Sequence, residues 1–249
     1  MDPEYAHLYR ELHERHWWWR ARETAILDRL RRLRPRAGFG AILDVGCGDG
    51  LWLERLRELG EPEGLEPDAE VVSAESLRRW RFHLCPFDDA FDPGRQYGLV
   101  LMLDVLEHLP DEAAALRLAA RLLRPDGLLV LTVPAFRLLW TAHDDLNFHR
   151  TRYTRPELVR ALRGAGLSVL TAQYFFHWLF PVKLLVRAKE RVLASEPRPP
   201  RLPPPPVNRL LYLASRLEQR TWGPPPASGQ LGAGGRRRPE STLIPHDMV

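Results

Sequence analysis

The hydrophobic pattern of this chain alternates between two periods. Over 20–34 the apolar positions Ile26, Leu27, Leu30 and Leu33 keep the three-to-four-residue spacing of one helix face, which predicts one or two helices within 4–34. Strand-like stretches follow at 41–45, 63–66, 81–84, 99–103, 128–133 and 167–174. Helix-forming stretches stand between them at 51–59, 68–79, 112–123 and 156–164, the last with Thr154 as a plausible N-cap. The run at 99–103 (LVLML) is apolar without alternation, as a strand buried on both faces of a parallel sheet requires. The predicted fold class is therefore α/β, a doubly wound, mostly parallel sheet with right-handed crossovers.

The flanks differ in composition from this core. Residues 1–38 are expected to be an N-terminal helical cap and 39–195 the central domain. Residues 196–226 read as a Pro-rich linker (EPRPPRLPPPP over 196–206) and an amphipathic helix that folds back on the domain. Residues 227–249 read as a disordered tail, since ASGQLGAGGRRRP over 227–239 puts glycines where β-formers are wanted. A seventh strand is thus doubtful, with Thr242, Leu243 and Ile244 as its poor alternative. Trp17, Trp18 and Trp19 are consecutive, so they cannot share one helix face; they either pack across the sheet or form an aromatic lid. The run from Phe175 to Val186, followed by Arg187, Lys189 and Arg191, is too short to span a bilayer. It either packs on the sheet or lies in a membrane interface.

Candidate chemistry begins where the first strand ends, in ILDVGCGDG over 42–50. Glycines there permit a tight turn and a close backbone approach to a ligand. The dinucleotide fingerprint G-x-G-x-x-G fails, because the sixth position from Gly46 is Leu51. The acids Asp44 and Asp49 would also repel a diphosphate. Carboxylates beside the turn suit a positively charged ligand such as S-adenosylmethionine, and Glu66, 20 residues beyond Gly46, has the spacing of an acid that holds ribose hydroxyls.

The four stretches ILDVGCGDG (42–50), GLEPD (64–68), LVLMLDVLEHL (99–109) and LLRPDGLLVLTVP (122–134) together resemble, in order and spacing, a class I S-adenosylmethionine-dependent methyltransferase, close to the type 11 domains. The resemblance runs from 42 to about 175. It implies a Rossmann-like sheet and S-adenosyl-L-methionine as cofactor, bound by Asp44, Gly46, Cys47, Gly48, Gly50 and Glu66. It also implies that an acid after the third strand, Asp88 or Asp89, meets the adenine. Leu103, Asp104 and Val105 end the fourth strand, on the side where open α/β sheets bind ligands. The chain departs from the family at Tyr97-Gly98, where Phe-Asp is common, and at its end, where a seventh, antiparallel strand is expected.

The stretch 134–153 (PAFRLLWTAHDDLNFHRTRY) is a long connection past a strand end, where substrate-facing loops belong. His143 is the candidate general base or substrate-orienting residue, with His149 as the alternative. His143, Asp144, Asp145 and His149 raise a metal, yet no tight H-x-x-x-H pair is present and methyl transfer needs no Lewis acid, so no metal is expected. Glu107 and His108 read equally as exposed or capping residues and as catalytic ones. His149, Arg150, Arg152 and Tyr153 resemble the H-x-R-R-Y piece of some type 11 domains and either meet an anionic group or tie the loop down.

Composition changes this picture little. A formal net charge of +4 comes from arginines spread along helices, without the aromatic and basic interleaving of an RNA-binding module, so no nucleic-acid partner is expected. Cys47 and Cys85, the only cysteines, lack metal-ligand spacing and fit a reducing compartment. With no apolar h-region at the N-terminus, the expected location is cytoplasmic, with peripheral contact at the inner membrane face left open. The expected activity is methyl transfer from S-adenosylmethionine to a small-molecule or lipid-linked acceptor. The alternatives are a non-catalytic adenosyl-ligand-binding or membrane-associated scaffold and, against Leu51 and the acids, a nicotinamide dehydrogenase.

Overall fold

A computed structural model describes residues 10–192, 201–221 and 240–246. Among them one sheet is formed by β1 (Ala41–Val45), β2 (Glu61–Leu65), β3 (Phe82–His83), β4 (Tyr97–Leu103), β5 (Leu123–Pro134), β6 (Ser168–Ala172) and β7 (Glu240–His246). The strand order is β3-β2-β1-β4-β5-β7-β6, and every pairing is parallel. The chain steps outward from β1 to β3 and returns to β4 on the other side of β1. That reversal opens a crevice beyond the carboxyl ends of β1 and β4.

The period-two pattern of the central strands divides the core into two layers. Leu43, Val45, Val100, Met102, Leu129, Leu131 and Val133 face α4 (Glu112–Leu122) and α6 (Arg155–Gly164). Ile42, Leu99, Leu101, Leu128 and Val130 face α1 (Trp17–Leu33). Ile26 and Leu30 of α1 are fully buried, each stabilising the domain by about 1.5–3 kcal/mol. Further helices among the described residues include α2 (Leu53–Leu56), α3 (Ala74–Arg79), α5 (Ala142–Leu146), α7 (Phe180–Val192) and α8 (Pro205–Arg220). Helix α6 starts at a capping box, in which the Thr154 amide donates to Glu157 at 2.8 Å.

All three tryptophans are buried, because α1 is covered on its outer side as well. Trp17 meets Phe176 edge to face at 5.7 Å and Trp18 meets Trp19 at 4.9 Å. Helix α8 lies along α1: the Trp17 amide donates to Asn208 Oδ1 at 2.8 Å, and Gln219 Nε2 donates to the Ala21 carbonyl at 3.0 Å. His16 caps α1 by accepting from the Trp18 amide at 3.2 Å. Burial pushes its imidazole pKa down to about 4, which keeps Nδ1 a lone-pair acceptor.

Two expectations change. The stretch Phe175–Val186 is divided: Phe175, Phe176 and Leu179 are core, whereas Val182, Leu185 and Val186 of α7 are exposed. The tail expected to be disordered contains β7, which includes Thr242, Leu243 and Ile244 and pairs with β5 and β6; 227–239 and 247–249 lie outside the described residues. The seventh strand is therefore present, and it runs parallel instead of antiparallel. A tight hairpin from β6 would force an antiparallel strand, but here α7 and α8 intervene, and a long connection can bring the chain back in either direction.

Candidate functional site

The turn after β1 is held by β2, since the Gly46 and Cys47 amides both donate to the Leu65 carbonyl, at 2.8 and 3.2 Å. Gly46, Gly48 and Gly50 all have left-handed backbone, with φ of +67°, +55° and +74°, so a side chain is strained at each. Their surroundings differ. A Cβ on Gly46 would lie 2.7 Å from Val105 Cγ2 and one on Gly50 2.9 Å from Leu53 Cδ1, while one on Gly48 would meet nothing within 4 Å. Gly48 is thus the glycine that faces open space.

Glu66 stands across this turn. Its carboxylate accepts from the Gly48 amide at 3.0 Å and from the Asp68 amide at 3.1 Å, leaving further lone pairs for hydroxyl donors. Asp44, at the end of β1, is 3% exposed, and burial pushes its carboxyl pKa up to about 7; a cationic ligand group beside it would favour ionisation. Burial likewise raises the Cys47 thiol pKa. Asp49 is occupied structurally: it accepts from the Ser73 amide at the start of α3 at 2.8 Å and pairs with Arg10 at 2.5 Å. The charge facing the turn therefore comes from Asp44 and Glu66.

Asp104 closes the other side of the crevice, past β4. Its backbone is left-handed, φ +61°, a strained conformation for a residue with a Cβ. It is anchored on both sides: Thr132 Oγ1 donates to Asp104 Oδ1 at 2.9 Å, and the buried Arg22 of α1 lies 2.6 Å from Oδ2. Arg22 also donates to Thr132 at 2.6 Å. Leu103 and Val105 are half-buried on either side. The N-terminal cap thus reaches the carboxyl ends of β4 and β5 through one guanidinium.

Past β5, the connection 135–154 is tied by one carboxylate. Asp144 accepts from Arg152 Nε at 2.8 Å and Nη2 at 3.0 Å, and it lies 2.8 Å from His149 Nδ1. These contacts hold its carboxyl well below the usual carboxylate range against the opposing effect of burial. Arg152 Nη1 donates to the Ala135 carbonyl at 2.9 Å, Tyr153 donates to Glu112 at 2.6 Å, and Arg150 Nε donates to the His108 carbonyl at 3.2 Å. His149, Arg150, Arg152 and Tyr153 therefore tie the loop down. Glu107, which the sequence left open as exposed, is fully buried, and burial beside Asp104 raises its pKa.

Of the expected cofactor residues, the sheet brings Asp44, Gly46, Cys47, Gly48, Gly50 and Glu66 to one side of the crevice and Leu103, Asp104 and Val105 to the other. Asp88 lies in the loop after β3, exposed, with its carboxylate accepting from the Ala90 amide at 2.9 Å. His143 belongs to α5, and its side chain lies outside the described residues. Sequence reasoning missed Arg22 and Thr132, and it did not join Glu107 and His108 to His149. An arginine one turn beyond Trp18 and the threonine in the fifth strand were the available signals.

The chain is similar to known proteins. The family described as "Methyltransferase domain" matches residues 18–172. The ubiquinone biosynthesis O-methyltransferase of Bradyrhizobium diazoefficiens is 28% identical over 144 residues, 55% of this chain and 47% of that protein. Its namesake from Azorhizobium caulinodans is 28% identical over 156 residues, 60% and 52% respectively. The chain thus spans about half the length of these curated relatives. A chain of the complex between the Haloferax volcanii Trm112 methyltransferase activator and the methyltransferase named with it has 25% identity and a TM-score of 0.52. That match covers 66% of this chain and 73% of that one. The protein belongs to the class I S-adenosylmethionine-dependent methyltransferases.

Proposed function

We propose that this protein transfers a methyl group from S-adenosylmethionine to a small-molecule or lipid-linked acceptor. The observation that carries the reading is the glycine turn: three left-handed glycines, one of them facing open space, with Glu66 hydrogen-bonded across it and Asp44 buried beside it. S-adenosylmethionine would supply a methyl on a sulfonium, an already activated leaving group. Gly48 would admit the cofactor to backbone contact, Glu66 would accept from ribose hydroxyls, and Asp44 would lie toward the cationic amino-acid end. Gly46, Cys47 and Gly50 would shape the turn, Leu103, Asp104 and Val105 would line the methionine side, and Asp88 would turn to the adenine. Placing the acceptor in line is worth up to ~7–11 kcal/mol in favourable cases. His143 is retained as a base candidate, with His149, oriented by Asp144, as the second. Incubation with S-adenosylmethionine and fractions of an apolar cell extract should release S-adenosylhomocysteine in step with one methylated product. Cofactor binding without turnover across all fractions would favour the non-catalytic scaffold.

The outer helices support peripheral membrane contact and, with it, a lipid-linked acceptor. Among the described residues, no helix is long and apolar enough to cross a membrane. Yet α7 exposes Val182, Leu185 and Val186, and α8 exposes Leu210, Leu213 and Leu217 at helical spacing, with Arg187, Lys189 and Arg209 on the same helices. Such stripes suit insertion at an anionic interface. Anionic liposomes should retain the protein at low salt, and Leu185→Glu combined with Leu213→Glu should release it. Equal recovery in the supernatant with and without liposomes would leave these faces without a membrane role.

A further inference from the structure

Beyond β4, two stretches some 40 residues apart in the chain bring three metal-ligating side chains together. Glu107 and His108 lie in the single 3-10 turn Leu106–His108, and His149 follows α5. One ligand atom from each of Glu107, His108 and His149 lies within 4.8 Å of the other two. The arrangement is held from behind. The Arg150 amide donates to the Glu107 carbonyl at 2.8 Å, and the His108 and His149 rings meet edge to face at 4.9 Å.

The hydrogen-bond inventory of this cluster is unbalanced. Asp144, ionised by its bidentate pair with Arg152, can only accept, so His149 Nδ1 must donate to it. On the opposite side of that ring Nε2 is buried without a hydrogen-bond partner. Glu107 is fully buried, and both its carboxylate oxygens are without partners too. Three buried polar atoms of this cluster thus lack a hydrogen-bond partner. Arg22 and Arg152 are already engaged by Asp104 and Asp144. A bound cation is a partner that would satisfy a carboxylate and an imidazole nitrogen together.

We infer that Glu107, His108 and His149 form a binding site for a divalent transition-metal ion of the zinc type. Two imidazoles and one carboxylate are a ligand set of open zinc sites, which keep a fourth position for water or substrate. Asp144 supplies the carboxylate behind the ligating histidine that such sites use to fix ring orientation. Zinc bonds of ~2.1 Å bring tetrahedral ligands to roughly 3.4 Å from one another, so side-chain rotations of about an ångström close the site. The sequence offered no H-x-x-x-H pair because the ligands come from two strand ends and not from one helix. The site's neighbour is Asp104, whose charge acts on both Glu107 and His108. Resting on the methyltransferase reading, the fourth position would take an acceptor hydroxyl and make it more acidic: its O–H bond would break with the proton leaving to water, an O–CH3 bond would form, and the C–S bond of the sulfonium would break to release S-adenosylhomocysteine.

The test uses the full chain, free of any affinity tag, stripped with a chelator and titrated with Co2+ by visible absorption and with Zn2+ by calorimetry. One equivalent should bind, with cobalt bands of low coordination number. Glu107→Gln, which keeps shape but removes the charge, and His149→Ala should each weaken binding by about tenfold or more. S-adenosylhomocysteine affinity, measured on the same samples, should stay unchanged and so report an intact fold. If a variant loses that affinity as well, His108→Ala on the half-buried rim replaces it. Absence of metal binding, or equal binding by all variants, would overturn the site and leave Glu107 as a proton donor to His149. Stoichiometric metal binding without any S-adenosylhomocysteine binding would keep the metal site and sink the cofactor reading.

Discussion

Asp144→Ala is expected to lower the unfolding free energy by about 3–5 kcal/mol, as for breaking a buried ion pair. Asp144 and Arg152 have side chains only 1% and 2% exposed, and removing the carboxylate takes from a buried guanidinium its bidentate partner. The same change frees His149 Nδ1 and the Thr141 amide, which donates to Asp144 Oδ2 at 2.8 Å, so several donors lose one acceptor together. Urea denaturation read by tryptophan fluorescence measures the loss. A change below about 1 kcal/mol, the size found for exposed pairs, would mean that the 135–154 connection is open to water in solution.

Gly48→Ala should reduce S-adenosylhomocysteine affinity by about a hundredfold, or ~2.7 kcal/mol, while the protein remains folded. The distinction rests on where the added methyl goes. At Gly48 it meets no protein atom within 4 Å, whereas at Gly46 it would strike Val105 at 2.7 Å and disturb the turn itself. The left-handed backbone adds a folding cost of about 1–2 kcal/mol for any residue with a Cβ, a few degrees in melting temperature for a small domain. Calorimetry and a melting curve on the same sample separate the two effects. Unchanged affinity would place the ligand elsewhere than over this turn.

How much of this was legible in the sequence depended on the range of each interaction. The strands β1, β4 and β5 announce themselves through dense apolar runs, and the glycine turn through residues that all lie within nine positions of one another. Glu66 was found because parallel pairing of β1 with β2 brings its neighbour Leu65 opposite Val45, a register that the family spacing encodes. Glu107 and His149 could not be joined, because only the adjacency of the ends of β4 and β5 makes them neighbours. Arg22 reads as a solvated helix charge until the crossing of α1 over the sheet buries it. The strand β7 was obscured by its own composition: Glu240, Ser241 and Pro245 are weak β-formers, and its place is set by backbone pairing with two neighbours. Of the two readings of the tryptophans, packing is the one seen, since a helix covered by both sheet and α8 can bury more than one face.

Parallel calorimetric titrations of the purified protein with S-adenosylhomocysteine and with NAD test the central claim most directly. A turn flanked by Asp44 and Glu66, with Leu51 where a dinucleotide loop has its third glycine, should bind one equivalent of S-adenosylhomocysteine and show no heat with NAD. Saturable binding of NAD without binding of S-adenosylhomocysteine would contradict it.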